Sequence, residues 1–171
     1  MTENKVFCGD AAEILKYLPQ GSANMCVTSP PYYGLRDYGI ENQIGTEQTP
    51  QEYVERLIKV FDEVYRVLMD DGTLWLNIGD SYAGSGKGKG LLQEDNVKDR
   101  PIYDKESKVF SMPNRWENIK PKDLIGIPWM LAFALRERGW YLRSDIIWHK
   151  INALPEAVKD RPAKCYEHIF L

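Results

Sequence analysis

The stretch T-P-Q-E-Y-V-E-R-L-I-K-V-F-D-E-V-Y-R-V-L-M-D-D-G-T-L-W-L-N-I-G-D, Thr49 to Asp80, changes its hydrophobic period once, and that change decides the fold class. Thr49, Pro50 and Glu52 supply an N-cap, a proline at the first helical position and a carboxylate three residues on, which together form a capping box. Val54, Leu57, Ile58, Phe61, Val64, Tyr65 and Leu68 recur at helical spacing, with Gly72 after Asp70-Asp71 as the stop signal. Thr73 to Asp80 is then a mostly apolar run, short enough for a buried strand.

The same alternation extends in both directions. Lys5 to Cys8 reads as a short apolar strand, and Gly9-Asp10 opens a helix with Ile14, Leu15 and Leu18 on one face, ended by Pro19 and Gly21. Asn24 to Thr28 is a second strand. Beyond Asp80, Pro121 starts a helix through Leu124, Ile125, Met130, Leu131, Ala134 and Leu135 that ends at Gly139. Tyr141 to Trp148 reads as a strand, and after a proline-rich loop comes Y-E-H-I-F-L. Alternating strands and helices predict an α/β fold with a mostly parallel sheet, helices on both faces and ligands beyond the carboxyl ends of the strands. Asp10 and Asp80 both follow strand candidates, so they are predicted to face one crevice, although either can serve only as a helix cap or turn residue.

Residues 82–120 have no such periodicity and read as a long flexible loop. Its G-S-G-K-G-K-G, from Gly84, fits neither phosphate-binding glycine pattern. Between Ala83 and Lys122 there are nine Lys or Arg and six Asp or Glu, a basic segment in a chain of net charge −3, suited either to phosphates or simply to solvent. Trp116 is the one tryptophan there that can stack on a base; Trp75, Trp129, Trp140 and Trp148 are expected in the core.

At 171 residues and 43% hydrophobic the chain is expected to form a single globular domain. It has no apolar run of about 18 residues and starts with polar M-T-E-N-K, so no membrane span and a cytoplasmic location are expected. Cys8, Cys26 and Cys165 are odd in number and far apart, which predicts small core residues rather than disulfides or zinc ligands. His149 and His168 lack metal-ligand spacing, no serine has a nucleophile-elbow context, and no cysteine follows a proline; no metal is expected.

The second strand runs into V-T-S-P-P-Y-Y-G-L, Val27 to Leu35. Pro30 and Pro31 pre-set an extended backbone and remove two amide donors, so the tip is stiff and rich in acceptors. The Ser29 hydroxyl and the Pro30 carbonyl can accept from one small donor group, with Tyr32 offering a flat face beside them. An exocyclic amine on a nucleobase fits: its lone pair is delocalised into the ring, and two aimed acceptors draw the nitrogen toward tetrahedral geometry. Such a base must first leave the helix stack.

S-P-P-Y at Ser29 to Tyr32 resembles the catalytic motif of the DNA methyltransferases that methylate amines, using S-adenosyl-L-methionine on cytosine or adenine. G-D at Gly9-Asp10 resembles the family's segment that contacts the cofactor adenine. Y-G-L-R-D-Y-G, Q-I-G-T-E (Gln43 to Glu47), D-G-T-L-W-L-N-I-G-D (Asp71 to Asp80) and D-R-P-A-K-C-Y-E-H-I-F-L (Asp160 to Leu171) are similar as well. The resemblance implies a Rossmann-like methyltransferase sheet, catalysis by Ser29, Pro30, Pro31 and Tyr32, and cofactor binding by Gly9, Asp10, Ser29 and Asp80. It implies double-stranded DNA as the partner and favours cytosine, with adenine left open. Family members of this permuted type carry a glycine-rich F-x-G-x-G cofactor loop after the part represented here. Residues 1–171 are therefore expected to be the N-terminal catalytic part, with a sheet incomplete at the C-terminus, weak cofactor binding alone, and a tendency to self-associate or pair with the missing half.

Two rival readings remain. P-P-Y-Y also matches P-P-x-Y, a polyproline ligand of WW modules, which would make the chain a binding protein; such ligands normally lie in disordered polar segments, not directly after a strand. The other rival is an inactive structural domain with a proline turn.

Overall fold

The computed structural model describes residues 4–83, 119–153 and 158–171. The elements in chain order are α1 (Ala11–Leu15), β1 (Ala23–Thr28), α2 (Pro50–Val67), β2 (Leu68–Ile78), α3 (Ile127–Glu137), β3 (Asp145–His149) and β4 (Tyr166–Phe170). The strands form one open sheet in the order β1-β2-β4-β3. The α/β architecture is as expected, with the sheet mixed: β1 and β2 are parallel, whereas β4 is antiparallel to both β2 and β3. β4 follows β3 after residues 150–165 and pairs back along it in the opposite direction, with Asp145 against Phe170 and His149 against Tyr166.

Helix α2 begins as the capping box dictates: the Thr49 hydroxyl accepts from the Glu52 amide and the Glu52 carboxylate accepts from the Thr49 amide. Its end differs from expectation. The helix stops at Val67, before Gly72 is reached, and the backbone turns extended at Leu68. The carbonyls of Arg66 and Val67 accept from the amides of Gly21 and Ser22, so the chain leading into β1 caps the helix. Gly72 instead serves a bulge: β1 moves two residues, Ala23 to Met25, while β2 moves five, Leu68 to Thr73. A Cβ at Gly72 would meet the Met69 carbonyl at 2.9 Å.

Helix α3 starts at Ile127, later than Pro121 suggested. Leu124 and Ile125 are used before the helix: Leu124 bridges Tyr82, and the Ile125 amide donates to the Ser81 carbonyl. The Ala83 amide donates to Asp123, and the Lys122 amide to Ala83, so the chain on either side of residues 84–118 is tied side by side. The loop expected over 82–120 and Trp116 otherwise fall outside the described residues.

Tyr53, Leu57, Phe61 and Val64 of α2, Leu74, Leu76 and Ile78 of β2, Ile127, Leu131 and Leu135 of α3 and Phe170 of β4 form one buried cluster. The strand residues in it alternate, so α2 and α3 cover one sheet face. On the other face Val27 pairs with Trp75, Asn77 with Ile169, and Trp148 with Glu167. Val27 is 70% exposed and Trp148 50%, so the core place expected for Trp148 is not the one found. Trp129 is also partly exposed, against the edges of Phe170 and His168. His168 is buried, with Nδ1 2.8 Å from the Asp145 carboxylate.

The strand expected at Lys5 to Cys8 does not form. Val6 is 97% exposed, and among the described residues no neighbouring strand pairs with it. Cys8 and Cys165 are exposed and only Cys26 is partly buried, contrary to the core role expected for all three: the first two lie outside any strand, while Cys26 is held within β1. No helix among the described residues is long and apolar enough to cross a membrane.

Phe61 is 1% exposed and belongs to the shared cluster. Phe61→Ala is expected to cost about 3–5 kcal/mol in chemical denaturation, while Tyr65→Ala, on the exposed flank, should cost far less.

Candidate active site

The tip after β1 is anchored from below. The Tyr53 hydroxyl donates to the Pro31 carbonyl at 2.8 Å, and its ring lies 5.3 Å from that of Tyr33, which is 1% exposed. Ser81 donates to the Tyr33 carbonyl, and the Gly34 amide donates to Gly45. Gly45 has a φ of 104°, and a Cβ there would meet the Tyr32 carbonyl at 2.9 Å, so only glycine lets the 43–47 segment lie this close. Glu47 holds that segment, accepting from the Gly45 amide at 2.8 Å and from Arg56 of α2 at 2.8 Å. Because Tyr33 is buried, P-P-Y-Y cannot be offered to a WW groove as it stands.

Ser29 is exposed and its hydroxyl donates to Tyr32 Oη at 3.3 Å. Tyr32 Oη lies 2.9 Å from Asn77 Oδ1 of β2 and 2.8 Å from Glu167 Oε2 of β4. Asn77 Nδ2 donates to the His168 carbonyl, which orients the amide so that its oxygen faces Tyr32. The other Glu167 oxygen pairs with Lys150, just beyond β3. The Tyr32 ring lies against Gly79, where a Cβ would come within 2.7 Å of Cε2. Three strands thus converge on one phenol. Burial opposes the charged form of Glu167, but the Lys150 ammonium and the Tyr32 and Asn77 hydrogen bonds outweigh it and hold the carboxyl below its ordinary range. Burial also pushes the Tyr32 phenol up to about 12, opposed by the Ser29 hydrogen bond and aided by Glu167.

Asp10 and Asp80 are each engaged with backbone amides. Asp10 caps the five-residue α1, accepting from the Glu13 amide at 3.2 Å. Asp80 accepts from three backbone amides, Ser81 at 2.9 Å, Gly126 at 3.0 Å and Ile127 at 3.0 Å, and so caps α3 across the chain. Neither carboxylate is hydrogen-bonded to Ser29 or Tyr32. Tyr53, Asn77, Lys150 and Glu167 were not singled out in the sequence; an acidic residue in an alternating strand reads as solvent-facing, and only the cross-strand register brings it to Tyr32.

Two hollows adjoin these elements. One of about 450 Å³ lies on the uncovered sheet face and reaches Ser29 and Asn77, with Val27, Trp75, Trp148 and Ile169 around it. The larger, about 560 Å³, lies where β2 begins and includes Leu68, Trp140, Arg143 and Leu171. It holds none of the tip residues, so of the two only the smaller reaches Ser29.

A family model described as DNA methylase matches residues 23–171. The chain is 52% identical over 166 residues to the Type II methyltransferase M.Cfr9I of Citrobacter freundii and 53% identical over 169 residues to M.XycI of Xanthomonas campestris pv. cyanopsidis, in each case covering 97% of this chain and 53% of the relative. The chain spans about half the length of the curated relatives it matches. Among solved structures, PvuII DNA methyltransferase (cytosine-N4-specific) superposes with a TM-score of 0.62 at 17% identity, covering 96% of this chain and 46% of that one. A Thermus thermophilus protein complexed with S-adenosyl-L-methionine gives a TM-score of 0.59 at 22% identity, covering 95% and 52%. These two likenesses show a shared fold.

With Tyr32 raised above its ordinary value in the folded state, its contribution to stability is fully present below about pH 10 and is lost as pH rises through about 12. Urea midpoints are expected to fall across that window, with a smaller fall in Tyr32→Phe. Gly79→Ala, which forces the ring away, should lower the Tyr32 titration midpoint read by ultraviolet absorbance.

Proposed function

We propose that this chain, a member of the DNA methylase family, supplies the amine-activating site of a Type II DNA methyltransferase that methylates the exocyclic amine of cytosine in double-stranded DNA, with adenine as the second choice. Family membership rests on the match over residues 23–171. The observation that carries the site assignment is the exposed Ser29 hydroxyl at the carboxyl end of a parallel strand, beside a backbone that Tyr53 pins through the Pro31 carbonyl. Ser29 Oγ and the Pro30 carbonyl each accept one hydrogen of the amine, Pro31 keeps the two acceptors in register, and the Tyr32 ring supports the base once it has left the stack. The resemblance carried by S-P-P-Y and the cytosine-N4 specificity of one fold neighbour favour cytosine.

S-adenosyl-L-methionine, when bound, supplies the methyl group on a sulfonium. The residues present fit one side of such a molecule. Phe7, 57% exposed, and Asp10, the N-cap of α1, both lie in the segment that leads into that helix. Ser29 contributes at the reacting end. Asp80 acts as a support, fixing the first turn of α3 with its carboxylate rather than offering it to the ligand. The edge of β1 and the uncovered face with Val27 and Trp148 would receive the polypeptide that makes up the rest of the relatives' length, on the same or a separate chain.

Ser29→Ala in the assembled enzyme is expected to lower turnover by one to three orders of magnitude, about 3 kcal/mol for one preorganised hydrogen-bonding group, and unchanged turnover would remove Ser29 from the reaction. The 171-residue chain alone should self-associate in light scattering and bind S-adenosyl-L-methionine at about millimolar strength or weaker, roughly 4 kcal/mol. A monodisperse monomer with micromolar affinity would refute the partner assignment.

A further inference from the structure

The phenol of Tyr32 contacts three oxygens, Ser29 Oγ at 3.3 Å, Asn77 Oδ1 at 2.9 Å and Glu167 Oε2 at 2.8 Å. Only two hydroxyl hydrogens are available to fill these three contacts, one from Ser29 and one from Tyr32. Asn77 cannot supply the third, because its Nδ2 donates to the His168 carbonyl and its oxygen faces the phenol. A carboxylate supplies none. The cluster is therefore one proton short of complete, and its opening to solvent is at Ser29, the exposed end.

We infer that Glu167, acting through Tyr32, holds the proton that the target amine gives up. This rests on the function proposed above. As the amine nitrogen bonds to the methyl carbon, the carbon–sulfur bond breaks with its electron pair going to sulfur, and the nitrogen becomes positively charged. Its N–H proton passes to Ser29 Oγ, the Ser29 hydrogen passes to Tyr32 Oη, and the Tyr32 hydrogen passes to Glu167 Oε2. Glu167 as a neutral acid then donates back to Tyr32, Tyr32 is free to donate to Asn77, and all three contacts contain a hydrogen. Water later takes the proton and restores the carboxylate. Lys150, the only cation paired with Glu167 among the described residues, keeps it charged and empty between turnovers. The groups facing Glu167 are Tyr32 from the tip, Asn77 from β2, Lys150 from the end of β3, and Trp148 across the strand pair. Glu167 is thus a positioning residue: it fixes the direction of every hydrogen in the chain and leaves the Ser29 lone pairs turned toward the amine.

Glu167→Gln preserves shape and hydrogen bonding but mimics the protonated carboxyl, so a purely structural role would leave the rate alone. In the assembled enzyme the variant is expected to lower the single-turnover rate at neutral pH by about 100-fold and to abolish the acidic limb of the pH profile. Glu167→Asp should retain the limb and recover part of the rate. Wild-type rate and an unchanged acidic limb in Glu167→Gln would overturn the inference. If the wild-type enzyme transfers no methyl group to DNA, the proposed function fails, and the proton count is decided on the 171-residue chain by carbon-13 NMR. The Glu167 carboxyl and the Tyr32 Cζ are expected to titrate with one shared acidic midpoint, and a Tyr32 signal that ignores the Glu167 titration would overturn the inference.

Discussion

The hydrogen bond from Tyr53 to the Pro31 carbonyl is the constraint on which the tip depends. Two consecutive prolines take away the amides at Pro30 and Pro31, so at those two positions the tip can be held only through its carbonyls. α2 supplies that hold from the core, where Tyr53 is fully buried and also stacks at an angle on Tyr33. The cost of burying a phenol is offset only while the bond is made. Ser29 is consequently presented by a backbone that is rigid for covalent reasons and placed for packing reasons.

The same helix couples the two ends of the parallel pair. At its amino end it carries Tyr53 and Arg56, which fix the tip and the 43–47 segment; at its carboxyl end Arg66 donates to the Leu15 and Leu18 carbonyls, and its last carbonyls are taken by Gly21 and Ser22. β1 is therefore clamped at both ends by one rigid element. Asp80 performs the matching service for α3, converting the end of β2 into the start of the next helix. In this arrangement the aspartate after β2 ties that strand to the first turn of α3 and makes no hydrogen bond to Ser29.

Much of this was readable in advance where the determinant is local. The capping box at Thr49 placed the start of α2, the apolar run before Ser29 placed β1, and S-P-P-Y identified the candidate site. Elements decided by distant partners were not readable. Gly72 looks like a helix stop but serves a bulge, because Gly21 and Ser22, far earlier in the chain, cap α2 first. Lys5 to Cys8 has strand composition but no strand beside it, and Trp148 lies on a sheet face that no described helix covers.

The sequence by itself determined that the tip would be stiff, short of donors and rich in acceptors, because proline's ring closes those options covalently wherever the chain goes. Tertiary structure alone decided which groups meet there. Asn77 and Glu167 lie 45 and 135 residues from Tyr32, and it is strand order and register that set their oxygens around one phenol. Residue type gives an acid's charge; only the fold decides whether that charge faces water or a hydroxyl one proton short of its partners.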